Sequence, residues 1–270
     1  MFDLGPVLEE ARDKLIAIAF HDFESGAEYS LNPDEALHPA STFKVHVMME
    51  VFHQASQGLL SLGDCLLIIN SFTSIADGST YSLDVKDDAE QTLYPRIGES
   101  EMIGELMRLM IVRSSNLATN ILLEKISTMK VNDFIHTLGI QGVTVRRGVE
   151  DNLAFRLGLN NSATARGLTQ TMKLIAEGKV ISPQVCDKMI QIMLGQEFNE
   201  SIPALLPASV KVAHKTGWTD DVYHDTGIVY PDGRKPYVLT IMTKGFTEEQ
   251  EQEAHQCMAK ISKLIYEQLQ

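Results

Sequence analysis

Strand-forming sequence lies at the two ends of this chain, and helical sequence fills the stretch between them. Leu15–Asp22 (LIAIAFHD) and Ala27–Leu31 read as two strands joined through Ser25-Gly26, a hairpin signal. Val210–Lys215, Gly227–Tyr230 and Tyr237–Thr243 read as strands near the other end, the last two separated by the turn Pro231-Asp232-Gly233. In between, Ser41–Ala55 places Phe43, Val47 and Val51 on one helical stripe. Helices are also predicted over Glu101–Ile111, Ser114–Ile126, Val131–Leu138 (ended by Gly139), Ala163–Glu177 and Ser182–Leu194. A short helix over 7–14 precedes the first strand, and Thr247–Leu269 closes the chain as another. This order predicts a mixed α/β chain of the α+β kind. An antiparallel sheet flanked by helices is built from residues 1–40 and 195–270. An all-helical lobe, 41–194, is inserted between those halves, with the active site between the lobes.

One segment breaks the periodicity. Val145–Asn161 holds charges, Gly148, Gly158 and three asparagines, and reads as a long ordered loop. Loops of that length inside a domain are usually functional.

Composition narrows the function classes. The net charge of −13 repels a phosphate backbone, so nucleic acid is excluded as a partner. No apolar run approaches the ~20 residues of a membrane helix, so no membrane partner is expected. Met1–Arg12 is acidic and has no basic start followed by an apolar core, unlike a signal peptide. The chain therefore either stays in the cytoplasm or is a processed form, and the initial Met favours the first. Cys65, Cys186 and Cys257 show no C-x-x-C spacing and read as buried thiols in a reducing compartment. His46 and His53 lie seven apart and could share a helix face, but without an H-E-x-x-H pattern no metal site is expected.

Ser41-Thr42-Phe43-Lys44 is an S-x-x-K motif. Residues three apart share a helix face, so the Lys44 ammonium can sit beside the Ser41 hydroxyl. A serine is a poor nucleophile until a neighbouring base takes its proton, and a desolvated lysine can do so. If Ser41 opens its helix, its own N–H is a donor available to an oxyanion. By chance alone about one S-x-x-K is expected in a chain of this size. Ser127-Thr128-Met129-Lys130 is such a decoy, read as a polar interhelical turn. Order separates the two. Downstream of Ser41 come Ser114-Ser115-Asn116 at a predicted helix start and Lys215-Thr216-Gly217 at a strand end. Ser114 alone could be a helix cap, Lys215 a solvated strand end and Gly217 a turn former, but those roles do not predict the joint order S-x-x-K, S-x-N, K-T-G.

With these motifs the chain resembles class A β-lactamases and their penicillin-binding relatives. Leu37–Met49 is similar to that family's nucleophile helix, Ser114–Leu123 to its second motif, and Val212–Gly217 to the third. The resemblance implies a β-lactamase/transpeptidase-like fold and a small-molecule substrate, a β-lactam or related amide or ester. It implies no metal and no organic cofactor, and a monomer is expected. Ser41 would be acylated, Lys44 would shuttle its proton, and Ser114 would pass a proton to the leaving nitrogen. Asn116 would bind the substrate amide, Lys215 and Thr216 its carboxylate, and Gly217 would let the substrate lie close. The backbone N–H of Trp218 would be the second oxyanion donor.

The departures are specific. Ser115 stands where the family usually has aspartate. Arg147–Asn161 resembles the omega loop, and Glu150 is the candidate deacylation base because Glu150–Leu153 matches E-x-x-L. The arginine-to-glutamate spacing is one residue longer than usual, and Ala154 replaces the water-positioning asparagine. Glu150 could instead be an ion-pair partner of Arg146 or Arg147. No arginine follows K-T-G within Trp218–Ile228, and Arg234 reads as a surface residue. The leading expectation is β-lactam hydrolysis through an acyl-Ser41 ester. The alternatives are a penicillin-binding or D-alanyl peptidase-like protein, an esterase or a glutaminase on the same scaffold. A catalytically silent binding module would not need the serine–lysine pair.

Overall fold

The computed structural model of the chain describes residues 2–269. Helix α1 (Gly5–Glu10) leads into β1 (Leu15–Asp22) and β2 (Glu28–Leu31). A 3₁₀ turn, Ala40–Phe43, runs directly into α2 (Lys44–Ser56). Then come β3 (Cys65–Leu67), β4 (Phe72–Thr73), β5 (Thr80–Tyr81), β6 (Ser100–Met102), α3 (Ile103–Val112), α4 (Asn116–Ile126) and α5 (Thr128–Thr137). The omega-type segment is bracketed by β7 (Val143–Thr144) and β8 (Ser162–Ala163) and contains the short α6 (Asn152–Arg156). The chain ends with α7 (Ala165–Ala176), α8 (Pro183–Met193), β9 (Lys211–Trp218), β10 (Val222–Tyr230), β11 (Tyr237–Lys244) and α9 (Glu251–Gln268).

The main sheet has the order β2-β1-β11-β10-β9, all neighbours antiparallel, so the first and last parts of the chain share one sheet through the β1–β11 pair. Successive residues of a strand face opposite ways, and the two faces of β1 differ in size. Ala17 and Ala19 face the helical core while Ile16, Ile18 and Phe20 face the cluster containing α1 and α9. The alanines let α7 approach closely, and Thr169 of α7 donates to the Ala19 carbonyl at 3.1 Å. Strand β9 forms a free edge, and the candidate residues gather there against α2 and α4.

The 41–194 stretch is mainly helical. It also carries three two-stranded ribbons, β3–β6, β4–β5 and β7–β8, outside the helical reading. They are two or three residues long, too short for any alternation to register. Two further readings are corrected. Cys65 is exposed on β3, whereas Cys186 and Cys257 are buried as expected. Arg234 is not a surface residue: it donates to both oxygens of Asp22 at 2.8 Å and to the Leu269 carbonyl, tying the β10–β11 turn to β1 and the last helix. His46 bonds Thr171 while His53 stacks on Phe134, so the two histidines do not converge. Among the described residues no helix is long and apolar enough to cross a membrane.

Candidate active site

Ser41 sits in the 3₁₀ turn, not in the first turn of a continuous α-helix, and Lys44 is the first residue of α2. Thr42 N–H and Oγ1 both bond the Pro39 carbonyl, which tightens that turn. The adjoining Gly217 explains its own identity: a Cβ there would lie 2.5 Å from the Ser41 nitrogen and 3.0 Å from that of Thr42. Only glycine lets β9 pass Ser41 so closely. Trp218 follows on this edge. Thr219 N–H bonds Val222 of β10, and N–H groups alternate sides along a strand, so Trp218 N–H points out of the free edge.

Ser114 and Asn116 meet Lys44 as the motif order predicts. Lys44 Nζ donates to the Ser114 carbonyl at 2.7 Å, to Asn116 Oδ1 at 2.8 Å and to Ser114 Oγ at 3.4 Å. These are its hydrogen bonds among the described residues, and none of them reaches Ser41, beside which the motif spacing allows it to sit. The lysine reaches toward the start of α4 instead. Lys215 Nζ donates to the same Ser114 Oγ at 3.1 Å and to the Thr216 carbonyl at 2.8 Å. One serine hydroxyl thus bridges two buried ammonium groups. Burial pushes the Lys44 pKa down to about 7, against the opposing attraction of Asp88 and Glu150. Lys215 is driven well below the ordinary lysine value by burial first and by the Lys44 charge second. Thr216 Oγ1 is buried with no hydrogen-bond partner among the described residues.

The omega-type loop closes on itself. Asn161 Oδ1 accepts from the N–H of Arg146 and of Arg147, and its Nδ2 donates to the Arg147 carbonyl. Asp151 caps α6 through Ala154 N–H and binds Ser74 Oγ at 2.7 Å. Glu150 is therefore carried on an anchored segment. Its carboxylate accepts from Asn116 Nδ2 at 3.3 Å and from Asp84 N–H at 3.0 Å, not from an arginine. The Arg147 guanidinium instead contacts Asn160, the Gly148 carbonyl and His38. Burial raises the Glu150 pKa, and the charges of Asp87 and Asp88 add to it. Ala154 is fully buried and offers no amide there.

Backbone strain concentrates at this place. Five non-glycine residues among those described have positive φ, and three of them are Ala40 (46°), Ser114 (56°) and Glu150 (59°). Such conformations cost on the order of 1–3 kcal/mol each and persist where the surroundings enforce them. The decoy serine behaves as a cap: Ser127 Oγ accepts from Lys130 N–H, and the Lys130 ammonium reaches Asp133, not the serine. A surface cavity of about 810 Å³, lined by Asn70, Leu83, Val85 and Tyr94, contains none of the candidate residues. The candidate residues gather instead at the β9 edge, where Ser114 joins Lys44 to Lys215. Asp88, absent from the motif reading, receives both Asn116 and Leu117 N–H groups. The acidic run Asp84–Glu90 was its only trace in the sequence.

Comparison with known proteins agrees with this geometry. The chain is 28% identical over 240 residues to a beta-lactamase of Bacteroides uniformis, covering 84% of this chain and 77% of that protein. It is 26% identical over 235 residues to the extended-spectrum beta-lactamase PER-1 of Pseudomonas aeruginosa, covering 81% and 71%. The structure of PBP-A shares the fold, with a TM-score of 0.82 at 21% identity over 100% of this chain and 99% of that one. The family model described as the beta-lactamase enzyme family matches residues 4–269. With nearly its whole length accounted for in this way, the chain belongs to the beta-lactamase enzyme family.

Proposed function

We propose that this enzyme opens the strained amide of β-lactams through an acyl ester on Ser41 and hydrolyses that ester with water activated by Glu150. The observation that carries the reading is the shared amide of Asn116. Its Oδ1 accepts from Lys44 while its Nδ2 donates to Glu150, so one side chain links the acylation base to the deacylation base. Lys44, about half neutral near pH 7, takes the Ser41 proton once substrate draws the serine toward it; catalytic contacts commonly tighten only on binding. Ser114, already between Lys44 and Lys215, relays a proton to the leaving nitrogen. The N–H groups of Ser41 and Trp218 receive the oxyanion. An arriving carboxylate takes the free hydroxyl of Thr216 and pairs with Lys215 beside it.

The test is intact-protein mass spectrometry after brief mixing with benzylpenicillin. An adduct that forms and then decays is expected. An adduct that persists indicates the penicillin-binding alternative, and the absence of any adduct refutes the β-lactam reading.

Acylation requires the neutral amine of Lys44, so its rate is expected to rise with pH through an ionisation at about 7 and to fall below it. Stopped-flow acylation across that range measures this limb. Lys44→Ala is expected to slow acylation by at least ~10²-fold and to remove the limb. A parental rate in this variant would make Lys44 a packing residue only.

A further inference from the structure

We propose that Asp88 is a positioning residue of this site, whose carboxylate reaches from the 84–92 segment to hold the Ser114–Asn116 turn against Lys44 and to supply the negative charge that the turn lacks at Ser115. The inference rests on the serine–lysine reading of the site, and it concerns how the helix start carrying Ser114 and Asn116 is held.

The first N–H groups of a helix have no partner within it. In α4 they are divided between two side chains. Ser115 Oγ accepts from Ala118 N–H at 3.1 Å, while Asp88 accepts from Asn116 N–H at 3.0 Å and Leu117 N–H at 2.9 Å. Asp88 also accepts from Glu90 N–H at 3.0 Å and from the Tyr94 hydroxyl at 3.0 Å. Its residue is 2% exposed. A carboxylate buried so deeply would be costly without compensation, and four donors plus the positive end of the helix dipole provide it. The segment is fastened from its other side as well. Glu90 accepts from Thr92 N–H at 2.6 Å and from Arg113, the residue that precedes Ser114.

Asn116 makes the connection to chemistry. Its N–H binds Asp88, its Oδ1 binds Lys44, and its Nδ2 binds the Asp87 carbonyl and Glu150. A shift of the helix start therefore moves the acceptors of Lys44 and the donor to Glu150 together. Charge acts in the same direction. The charged groups facing Lys44 are Asp88, Glu150 and Lys215, and the two carboxylates oppose the loss of its proton. Around Asp88 stand Tyr94 and Glu150, with the exposed Asp87 beside it in the chain.

The test follows labelling of Ser41 by a fluorophosphonate from about pH 5 to pH 9, a reaction that needs the nucleophile and its base but no β-lactam. Benzylpenicillin on the parent, run alongside, reports on the β-lactam reading separately. Asp88→Asn removes the charge and turns an N–H donor toward α4. It is expected to lower the plateau rate by roughly 10- to 100-fold, the latter being the cost of a displacement of about 1 Å. It also moves the acid limb to lower pH, because Lys44 loses an attracting charge. Asp87→Asn removes the same formal charge at an exposed position and is expected to move the limb much less. Equal shifts in the two variants would reduce the effect to net charge and overturn the proposal, as would an Asp88→Asn profile identical to the parent. Asp88→Glu keeps the charge while displacing it, so the rate falls with the limb nearly in place. If Asp88→Asn does not fold, this variant decides alone, and a parental rate in it overturns the assignment. A parent that labels at Ser41 but ignores penicillin would refute the β-lactam reading and leave the Asp88 comparison intact. A parent whose Ser41 does not label at all would refute both.

Discussion

Ser41→Ala is expected to abolish covalent labelling by penicillin and by fluorophosphonates, while Ser127→Ala leaves it at the parental level. Both serines open an S-x-x-K, and the sequence spacing alone treats them alike. Their surroundings do not. Ser41 abuts the nitrogen-to-strand contact with Gly217 and shares its turn with a buried Lys44, whose pKa is brought to about 7. Lys130 is exposed, and Ser127 spends its hydroxyl on capping α5. The first pair has a neutral amine available at neutral pH. Removing one hydroxyl from half-buried Ser41 is expected to alter stability by no more than ~0.5 kcal/mol. Intact mass after mixing gives the result directly. An adduct in Ser41→Ala would assign the nucleophile elsewhere.

Glu150→Gln is expected to keep the acylation burst and slow the decay of the acyl-enzyme by ~10²- to 10⁴-fold, the range for a positioned general base. The amide keeps the size of the side chain but cannot take a proton from water. The carboxylate's pKa is raised by burial and by Asp87 and Asp88, so the parent's deacylation should gain rate with pH through a range above that of an ordinary glutamate. The sign follows from the base being the ionised form: protonation on the acid side removes it. In the parent, buried Ala154 provides no amide to steer the water, so turnover is expected to be slow after a burst near one equivalent. Pre-steady-state mixing with a chromogenic cephalosporin separates the two phases. A Glu150→Gln variant that turns over at the parental rate would place the base outside the omega-type loop.

Much of the fold was legible in the chain. The apolar runs in Leu15–Asp22 and Tyr237–Thr243 and the stripe in Ser41–Ala55 each encode buried surface, and observed elements start or stop within a few residues of those patterns. The order of three motifs selected Ser41 over Ser127, because each motif sits at an element end where local sequence dictates the turn. Glu150 was named from a loop match at a shifted spacing. Tertiary structure decided that it faces Asn116 and the Asp84 amide and not an arginine, since these partners lie 34 and 66 residues away in the chain. That Lys44 bonds Ser114 was likewise beyond the sequence, because helix spacing brings only Ser41 near it and Ser114, 70 residues away, arrives through the packing of α4 against α2. Asp88 was the least visible. Its role arises from a contact 28 residues away with the start of α4, and no periodicity in one chain records which distant N–H groups a carboxylate will meet. The sequence by itself determined the main helices and sheet strands and named the candidate groups, both of which depend on local pattern. The hydrogen-bond wiring and the depressed lysines depend on burial and long-range packing, which only the folded chain defines.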